Sequence, residues 1–406
     1  MSGNMHIPAP LKAGAAVGAA VAAAAWVWRH QGDIVSSRPI NEWTFTHMKA
    51  ILPTETIPRT APARGLPFGP QLPEVRYAFD GQTRSLTDLH RSTNTTSFLV
   101  LHHGQIVAEE YPGTFASRTA RFQVFSITKS VTSLLIGIAV ERGEIGSTDE
   151  PVSDYCPQLR GTGYDGPTIA QLLNMSSGVG DVEDWSVPDA PIIQFETAVT
   201  TGGSVLKVIR SLPVRSAPGL SFNYSTIDSH VLGWVLEAAT GMSLARNAAT
   251  RLWAPLGAET DGYYFLTRGR PRTALGGGSL NATTRDLARI GQLVADGGRV
   301  GAEQVVPSEW IAQFRSGTEP HLHVGALGVS GYPHYGYSRH WWTLGGQHRP
   351  ITGLGVHGQY LWVDPERETV IVKTSAWNKP DDADRDRETV AALQAVVDTL
   401  SAGSER

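Results

Sequence analysis

Two Ser-x-x-Lys pairs stand out in this chain, Ser126-Ile-Thr-Lys129 and Ser204-Val-Leu-Lys207. Three residues is just under one helical turn, so on a helix both side chains of a pair share a face and can hydrogen-bond. A lysine drawn out of water loses proton affinity and can act as a base on a neighbouring hydroxyl. The serine then becomes a nucleophile for acyl transfer. Context separates the two pairs. Ser126 follows the extended, apolar Gln-Val-Phe and opens a long apolar stretch. At such a helix start its backbone N–H lacks a helical partner, and the macrodipole favours an oxyanion. Lys129 is drawn into that apolar interior beside Ser130 and Val131. Ser204 follows Thr-Gly-Gly and reads as a plain N-cap, with Lys207 on a solvated face. We therefore take Ser126 as the nucleophile.

Other chemistries have weaker support. No serine lies in Gly-x-Ser-x-Gly, which argues against an α/β-hydrolase elbow. His321 and His323 form an isolated His-x-His without a third ligand at usual spacing, and His-Glu-x-x-His is absent, so they read as polar loop histidines and no metal is expected. Cys156 is the single cysteine, which excludes an intramolecular disulfide and any cysteine-based metal site. It reads as a buried spectator.

The elements that must carry Ser126 are visible in the hydrophobic periodicity. Residues 124–143 show Ile127, Val131, Leu134, Leu135 and Ile138 at helical spacing, with Gly143 as C-cap. Phe98 to Glu109 reads as a hairpin turning at His103-Gly104, and residues 359–374 as a second hairpin. Helical patterns fill the middle at 169–175, 205–212, 228–239 and 244–252. Further helices fall at 283–296 and 387–400. Strands near both ends with helices between predict an α+β fold, with one sheet built from both ends and a helical lobe inserted at about 144–275.

Composition bounds the fold and the partners. The chain has 406 residues, 41% of them apolar and 18% charged, enough for a large core. Its 34 basic and 38 acidic residues give a net charge of −4 and no basic field for nucleic acid. Residues 13–28, AGAAVGAAVAAAAWVW, are uniformly apolar, fewer than the ~20 needed to span a bilayer. They read as a signal or anchor segment within residues 1–30 and a possible membrane contact, which places the protein in the periplasm, outside the cell or at a membrane. A cytoplasmic Ala-rich helix is the alternative. Six prolines between Pro53 and Pro73 predict an extended arm over 31–74, with the compact domain spanning 75–406.

With these residues in hand, the chain resembles a known family. Phe-Ser126-Ile-Thr-Lys129-Ser resembles the first motif of serine β-lactamases and penicillin-recognising enzymes, in their class C-like esterase branch. Tyr224-Ser225-Thr226 resembles the Tyr-x-Asn motif of that branch. Leu172-Leu-Asn-Met-Ser-Ser-Gly178 and Gly276-Gly-Gly-Ser-Leu-Asn-Ala-Thr-Thr-Arg-Asp-Leu-Ala288 resemble two further landmarks. Gly353-Leu-Gly-Val-His-Gly-Gln359 takes the place of the third motif, Lys-Thr-Gly, on an edge strand. Trp43-x-Phe, Trp341-Trp342 and Val-His-Gly-Gln-Tyr-Leu-Trp-Val-Asp-Pro are similar to 6-aminohexanoate-dimer hydrolases, which cleave linear nylon oligomers and short-chain esters.

The resemblance implies a β-lactamase/transpeptidase-like antiparallel sheet flanked by helices. It implies that Ser126 attacks a carbonyl and that Lys129 holds or takes its proton. Tyr224 would be base toward Ser126 and acid toward the leaving group, and the N–H groups of Ser126 and Val356 the oxyanion hole. A free tyrosine becomes phenolate at pH 7 only at a cost of about 4 kcal/mol, so Tyr224 needs Lys129 beside it. Two departures matter. Thr226 replaces an asparagine, and Gly353 replaces the lysine or histidine that would hold a β-lactam carboxylate. Both favour a linear amide or neutral ester. Asp181 reads as a loop carboxylate, either facing the cleft to hold a substrate ammonium or merely solvated. Trp185, Trp341 and Trp342 are candidates to line the cleft, with Trp342 read as core before cleft. His357 either supports the site or is a satisfied strand histidine. No cofactor is implied. The competing readings are a carboxylesterase or β-lactamase-related peptidase, and a non-catalytic peptide or cell-wall recognition protein. The last would be marked by loss of Ser126, Lys129 or Tyr224, and all three are present. The oligomeric state is open.

Overall fold

The computed structural model describes residues 36–315, 319–323, 327–329, 332–345 and 349–404. The apolar 13–28 segment and the rest of 1–30 lie outside the described residues. Among the described residues no helix is long and apolar enough to cross a membrane.

The centre is an antiparallel sheet of eight strands: β1 Thr95–His102, β2 Gln105–Glu110, β3 Leu327–Val329, β4 Tyr332–Ser338, β5 Trp341–Leu344, β6 Ile351–Gly355, β7 Gln359–Asp364 and β8 Thr369–Ser375. Their order is β3-β4-β5-β6-β7-β8-β1-β2. The chain's two ends meet where β8 pairs with β1, Ile371 opposite Val100. Successive strand residues point to opposite faces, and here both faces are covered. Leu99, Leu101, Leu361, Val363, Val370 and Val372 face one side. Phe98, Val100, Trp362 and Ile371 face the other. Every residue of β7 and β8 is buried for that reason.

Five helices matter for the site: α1 Ile127–Glu141, α2 Pro191–Thr201, α3 Thr226–Thr240, α4 Thr284–Ala295 and α5 Ala383–Ser404. α1 and α4 cover the first sheet face. α5 covers the second through Leu393, Val396, Val397 and Leu400. α1 is buried almost all round, from Ile127 to Ala139, which a helix sandwiched between sheet and lobe must be. Gly137 allows this, because a Cβ there would lie 2.6 Å from the Trp310 ring. α3 belongs to the inserted lobe. Ser225 caps it by accepting the Asp228 N–H, and Gly241 ends it at positive φ.

The arm expected to be extended over 31–74 is only partly so. It begins with short helices at Ile40–Thr44 and Met48–Ile51. Strand Thr54–Ile57 then pairs with Gly262–Phe265, so the lobe's last part is strand as well. This small sheet continues through Leu280–Ala282 to Phe122–Gln123, the residues that lead into Ser126. Asn41 is buried and donates to the Trp377 carbonyl. The arm folds on the body through that pairing and that burial despite its prolines, of which Pro39 sits just before the first short helix, where no backbone N–H is needed.

A buried ion network locks α4 to the sheet and to the lobe. Arg285 grips Glu109 on β2 with two hydrogen bonds, 2.7 and 2.6 Å. Arg289 reaches Glu259 at 2.8 Å, and Asp286 accepts the Glu259 N–H at 2.8 Å. The Thr-Thr-Arg-Asp landmark is thus the hub of this network. Removing one partner of a buried pair strands the other. We expect Arg285→Ala, whose side chain is 3% exposed, to lose about 3–5 kcal/mol of unfolding free energy. Arg118→Ala, on the exposed rim of the same network, should lose under about 1 kcal/mol. Urea titration checks both, and equal small losses would contradict the role given to Arg285.

Candidate active site

The segment before α1 makes a sharp entry. Val124 donates to the Leu280 carbonyl, and Phe125 takes φ +45°, a left-handed conformation rare for an aromatic residue. That twist puts Ser126 at the first position before the helix. One turn on, Lys129 is 1% exposed. Its ammonium donates to Ser126 Oγ at 2.8 Å, to Thr226 Oγ1 at 2.9 Å and to the Gly277 carbonyl at 2.9 Å. Three acceptors satisfy its three N–H bonds. Burial lowers its pKa to about 8, against the opposing pull of the Glu183 and Glu196 charges. Gly277 can offer its carbonyl because it carries no side chain. A Cβ there would lie 2.9 Å from the Thr226 carbonyl and 3.0 Å from Ser229 Cβ.

Tyr224 lies just before α3 and is half-buried. Its ring stacks on Trp342 at 5.5 Å, and the Lys129 Nζ sits 4.8 Å from its centroid. Burial drives its pKa far above the ordinary tyrosine value, the Glu183 charge adds to that rise, and the neighbouring Ser126 hydroxyl opposes it. Thr226, the first residue of α3, bridges the site. Its Oγ1 accepts from Lys129 and donates to Glu183 Oε2 at 3.2 Å, and its backbone N–H donates to Glu183 Oε1. Burial raises the Glu183 pKa, and the Lys129 charge pulls it back.

Opposite Ser126 stand β6 and the turn after it. β6 pairs with β7 along its whole length, but with β5 only through Ile351 and Thr352. Gly353–Gly355 therefore behave as a local edge inside the sheet. Gly355 comes so close to the Ser126 segment that a Cβ would lie 2.5 Å from the Val124 carbonyl. At Gly353 a Cβ would lie 3.0 Å from Ser130 Oγ, so close packing on α1 accompanies the loss of the motif's cation. Among the described residues neither the Ser126 nor the Val356 backbone N–H has a backbone acceptor. Both residues line one cleft of about 520 Å³. Its walls are apolar at Trp185, Phe222, Trp342 and Leu354, and carry the carboxylates Glu183, Asp381, Asp382 and Asp386.

Known proteins share this plan. The Beta-lactamase family matches residues 83–395. A 6-aminohexanoate-dimer hydrolase of Paenarthrobacter ureafaciens is 31% identical over 358 residues, covering 86% of this chain and 88% of that protein. Esterase EstB of Burkholderia gladioli is 29% identical over 184 residues, 41% of this chain and 46% of that one. A solved Bacillus anthracis structure, provisionally called a 6-aminohexanoate-dimer hydrolase, superposes with TM-score 0.80 at 24% identity, covering 89% of this chain and 95% of its own. A family VIII carboxylesterase structure gives TM-score 0.58 at 19% identity, covering 76% and 96%. The two structures carry the likeness of fold.

The structure brings Ser126, Lys129, Tyr224, Val356 and Trp185 together at the cleft and leaves other candidates outside it. Trp341 is fully buried, stacked on Phe314 at 5.2 Å, while Trp342 lines the cleft. Trp341 is thus a core residue and not a cleft residue, while Trp342 is core as expected and also reaches the cleft, because neighbours on a strand face opposite sides. His357 is buried in the turn at φ +62°. Its Nδ1 pairs with the Trp377 carbonyl at 2.8 Å, and burial lowers its pKa to about 4. It is the satisfied histidine and does not line the cleft. Ser204 caps its short helix by accepting the Lys207 N–H. His321 pairs with Ser176 at 3.1 Å. Cys156 is buried, and burial pushes its thiol up to about 12. Asp181 is not among the residues that line the cleft and is gripped by Arg215 with bonds of 2.6 and 2.9 Å. Glu183, two residues on, is the loop carboxylate at the site. Asp381, Asp382 and Asp386 add an acidic wall to the site. Its only sequence signal is the run Asp381-Asp382-Ala-Asp384-Arg-Asp386. The Asp181–Arg215 side chains are 46% and 58% exposed, so solvent screens their pairing and it contributes little. We expect Asp181→Asn to leave both amide and ester turnover within about twofold of wild type. A selective loss on an amine-bearing substrate would return Asp181 to the site.

Proposed function

Because the chain belongs to the beta-lactamase family of serine hydrolases, we propose that it cleaves short linear amides of the 6-aminohexanoate-dimer kind, and short-chain esters, through an acyl-enzyme on Ser126. The observation that carries this reading is the 2.8 Å contact between the buried Lys129 Nζ and Ser126 Oγ at the floor of the cleft. Lys129, neutral, takes the Ser126 proton as Oγ bonds to the carbonyl carbon and the π pair moves to oxygen. The N–H groups of Ser126 and Val356 hold that oxyanion, a contribution of about 3 kcal/mol per donor in such sites. Burial works against a phenolate, so Tyr224 is better suited as the acid. Its phenol gives a proton to the leaving nitrogen as the C–N bond breaks. Lys129 then passes the serine proton to the Tyr224 phenolate, which restores both groups. Water attacks the acyl carbon and gives a proton to Lys129, Tyr224 protonates Ser126 Oγ as the acyl C–O bond breaks, and Lys129 again returns its proton to Tyr224.

The cleft supports the substrate class. Among its described lining residues there are four carboxylates and no lysine or arginine. That field suits a substrate ammonium and opposes the carboxylate of a β-lactam. The apolar walls suit a methylene chain, and equally the acyl group of a short ester, which is the observation favouring esterase activity beside amide hydrolysis.

Ser126→Ala should lower p-nitrophenyl acetate turnover by about 10³–10⁶, while Ser204→Ala stays within a few-fold. Equal losses, or none for Ser126→Ala, would overturn the assignment of the nucleophile. N-acetylating the free amine of the linear dimer removes its charge. We expect that to raise KM by about five- to tenfold with kcat little changed, since the ammonium contact is made in ground and transition states alike. An unchanged KM would contradict the ammonium reading.

A further inference from the structure

We propose that Glu183 is a positioning residue for this reaction: anchored on Thr226, it holds a negative charge one hydroxyl away from Lys129 and so sets the pH at which Ser126 becomes nucleophilic. The inference rests on reading Ser126 as nucleophile and Lys129 as its base. It is carried by a continuous chain of contacts. Lys129 Nζ donates to Thr226 Oγ1 at 2.9 Å, and Thr226 Oγ1 donates to Glu183 Oε2 at 3.2 Å. The direction of the chain is forced. An ammonium only donates, so Thr226 spends a lone pair on Lys129 and has its single hydrogen left for Glu183, which as a carboxylate only accepts. The other oxygen, Oε1, takes the Thr226 backbone N–H at the start of the 15-residue helix α3. That end of a helix favours a negative charge. Two bonds from one residue thus fix the carboxylate, although it arrives on an irregular loop.

Other groups facing the pair do not replace it. Tyr224 presents its ring to Lys129. His340 packs beneath, its Nδ1 beside the Lys129 carbonyl, and burial keeps it neutral with a pKa lowered to about 3. Asp228 accepts from Tyr164 at 2.7 Å and from Ser177 at 3.0 Å. Tyr164 and Tyr337 are buried phenols whose pKa values lie well above the ordinary one. Glu196 and Asp381 act on the pair by charge from a distance. Of the carboxylates, only Glu183 is joined to Lys129 through a shared hydroxyl among the described residues.

The sign of the effect follows. An anion nearby favours the charged form of Lys129 and raises its pKa. The base is the neutral form, so activity climbs as pH rises through that pKa. Removing the Glu183 charge lets Lys129 lose its proton at lower pH, and the acid limb moves down. Two readouts report Ser126 without involving a substrate ammonium: the rate of labelling by a serine-reactive phosphonate, and neutral-ester turnover. Both are followed against pH for the full-length wild type, Glu183→Gln, Glu183→Ala and Glu183→Asp. For Glu183→Gln and Glu183→Ala we expect the limb to fall by about one unit. The variant-to-wild-type rate ratio is then about tenfold higher near about pH 6 than near about pH 10. Glu183→Asp, which keeps the charge, should restore the wild-type limb, and KM for the neutral ester should hold in all four proteins. A purely structural role lowers the rate equally at every pH. A pH-independent ratio, or a limb that moves up, overturns the proposal while leaving Ser126 in place. A wild-type protein whose Ser126 is not labelled would sink the reading of the nucleophile and this proposal with it.

Discussion

The burial of one ammonium organises this molecule. Lys129 sits inside a helix that is covered on all sides, and an ammonium there is tolerated only if each N–H is met. The acceptors come from three separate places: the start of α1, the start of α3 and the glycine-rich loop before α4. Ser126, Thr226 and Gly277 can converge only if the sheet, the inserted lobe and the small sheet are all in position. The pairing of Phe122–Gln123 with Leu280–Ala282 brings two of these segments side by side. The lack of side chains at Gly276 and Gly277 lets the third approach, since a Cβ at Gly276 would lie 2.5 Å from the Ser229 carbonyl. The catalytic arrangement and the packing of the core are therefore the same set of contacts.

Charge around that lysine is one-sided. The strand opposite Ser126 carries Gly353, packed against Ser130, where the resemblance to the family leads one to expect a cation, and the far wall of the cleft carries aspartates. Asp386 accepts from the Tyr360 hydroxyl, and burial raises its pKa to about 6. Such a wall attracts a positively charged end and repels a negative one. On the proposed reading, this charge pattern is what directs the chemistry at Ser126 toward an amine-bearing acyl compound.

Much of this was legible in the sequence, and the exceptions have physical causes. α1 and the Ser126–Lys129 pair were readable because helical spacing is local and the flanking residues are apolar. The pairing of the chain's two ends was readable because each contributes a hairpin with a recognisable turn. Helix α2 buries Ile192, Phe195, Ala198 and Val199 at helical spacing, a period that the Pro- and Gly-flanked loops on either side make easy to miss. Trp341 and Trp342 could not be told apart because a strand covered on both faces shows no alternation to read. Glu183 was passed over in favour of Asp181 because its partner, Thr226, lies 43 residues later. In an irregular loop no period says which of two carboxylates turns inward. Thr226 looked like a lost amide clamp. In the structure it is the hydroxyl that joins lysine to glutamate.

The central claim is that the acyl group passes through Ser126. The most direct measurement is rapid quenching of the enzyme during turnover of a p-nitrophenyl ester, followed by proteolysis and tandem mass spectrometry to locate any covalent acyl group. The account predicts the acyl mass on the peptide containing Ser126, at that serine and at no other. An acyl group on Ser204 or elsewhere, or steady turnover with no covalent species in the quenched protein, would contradict it.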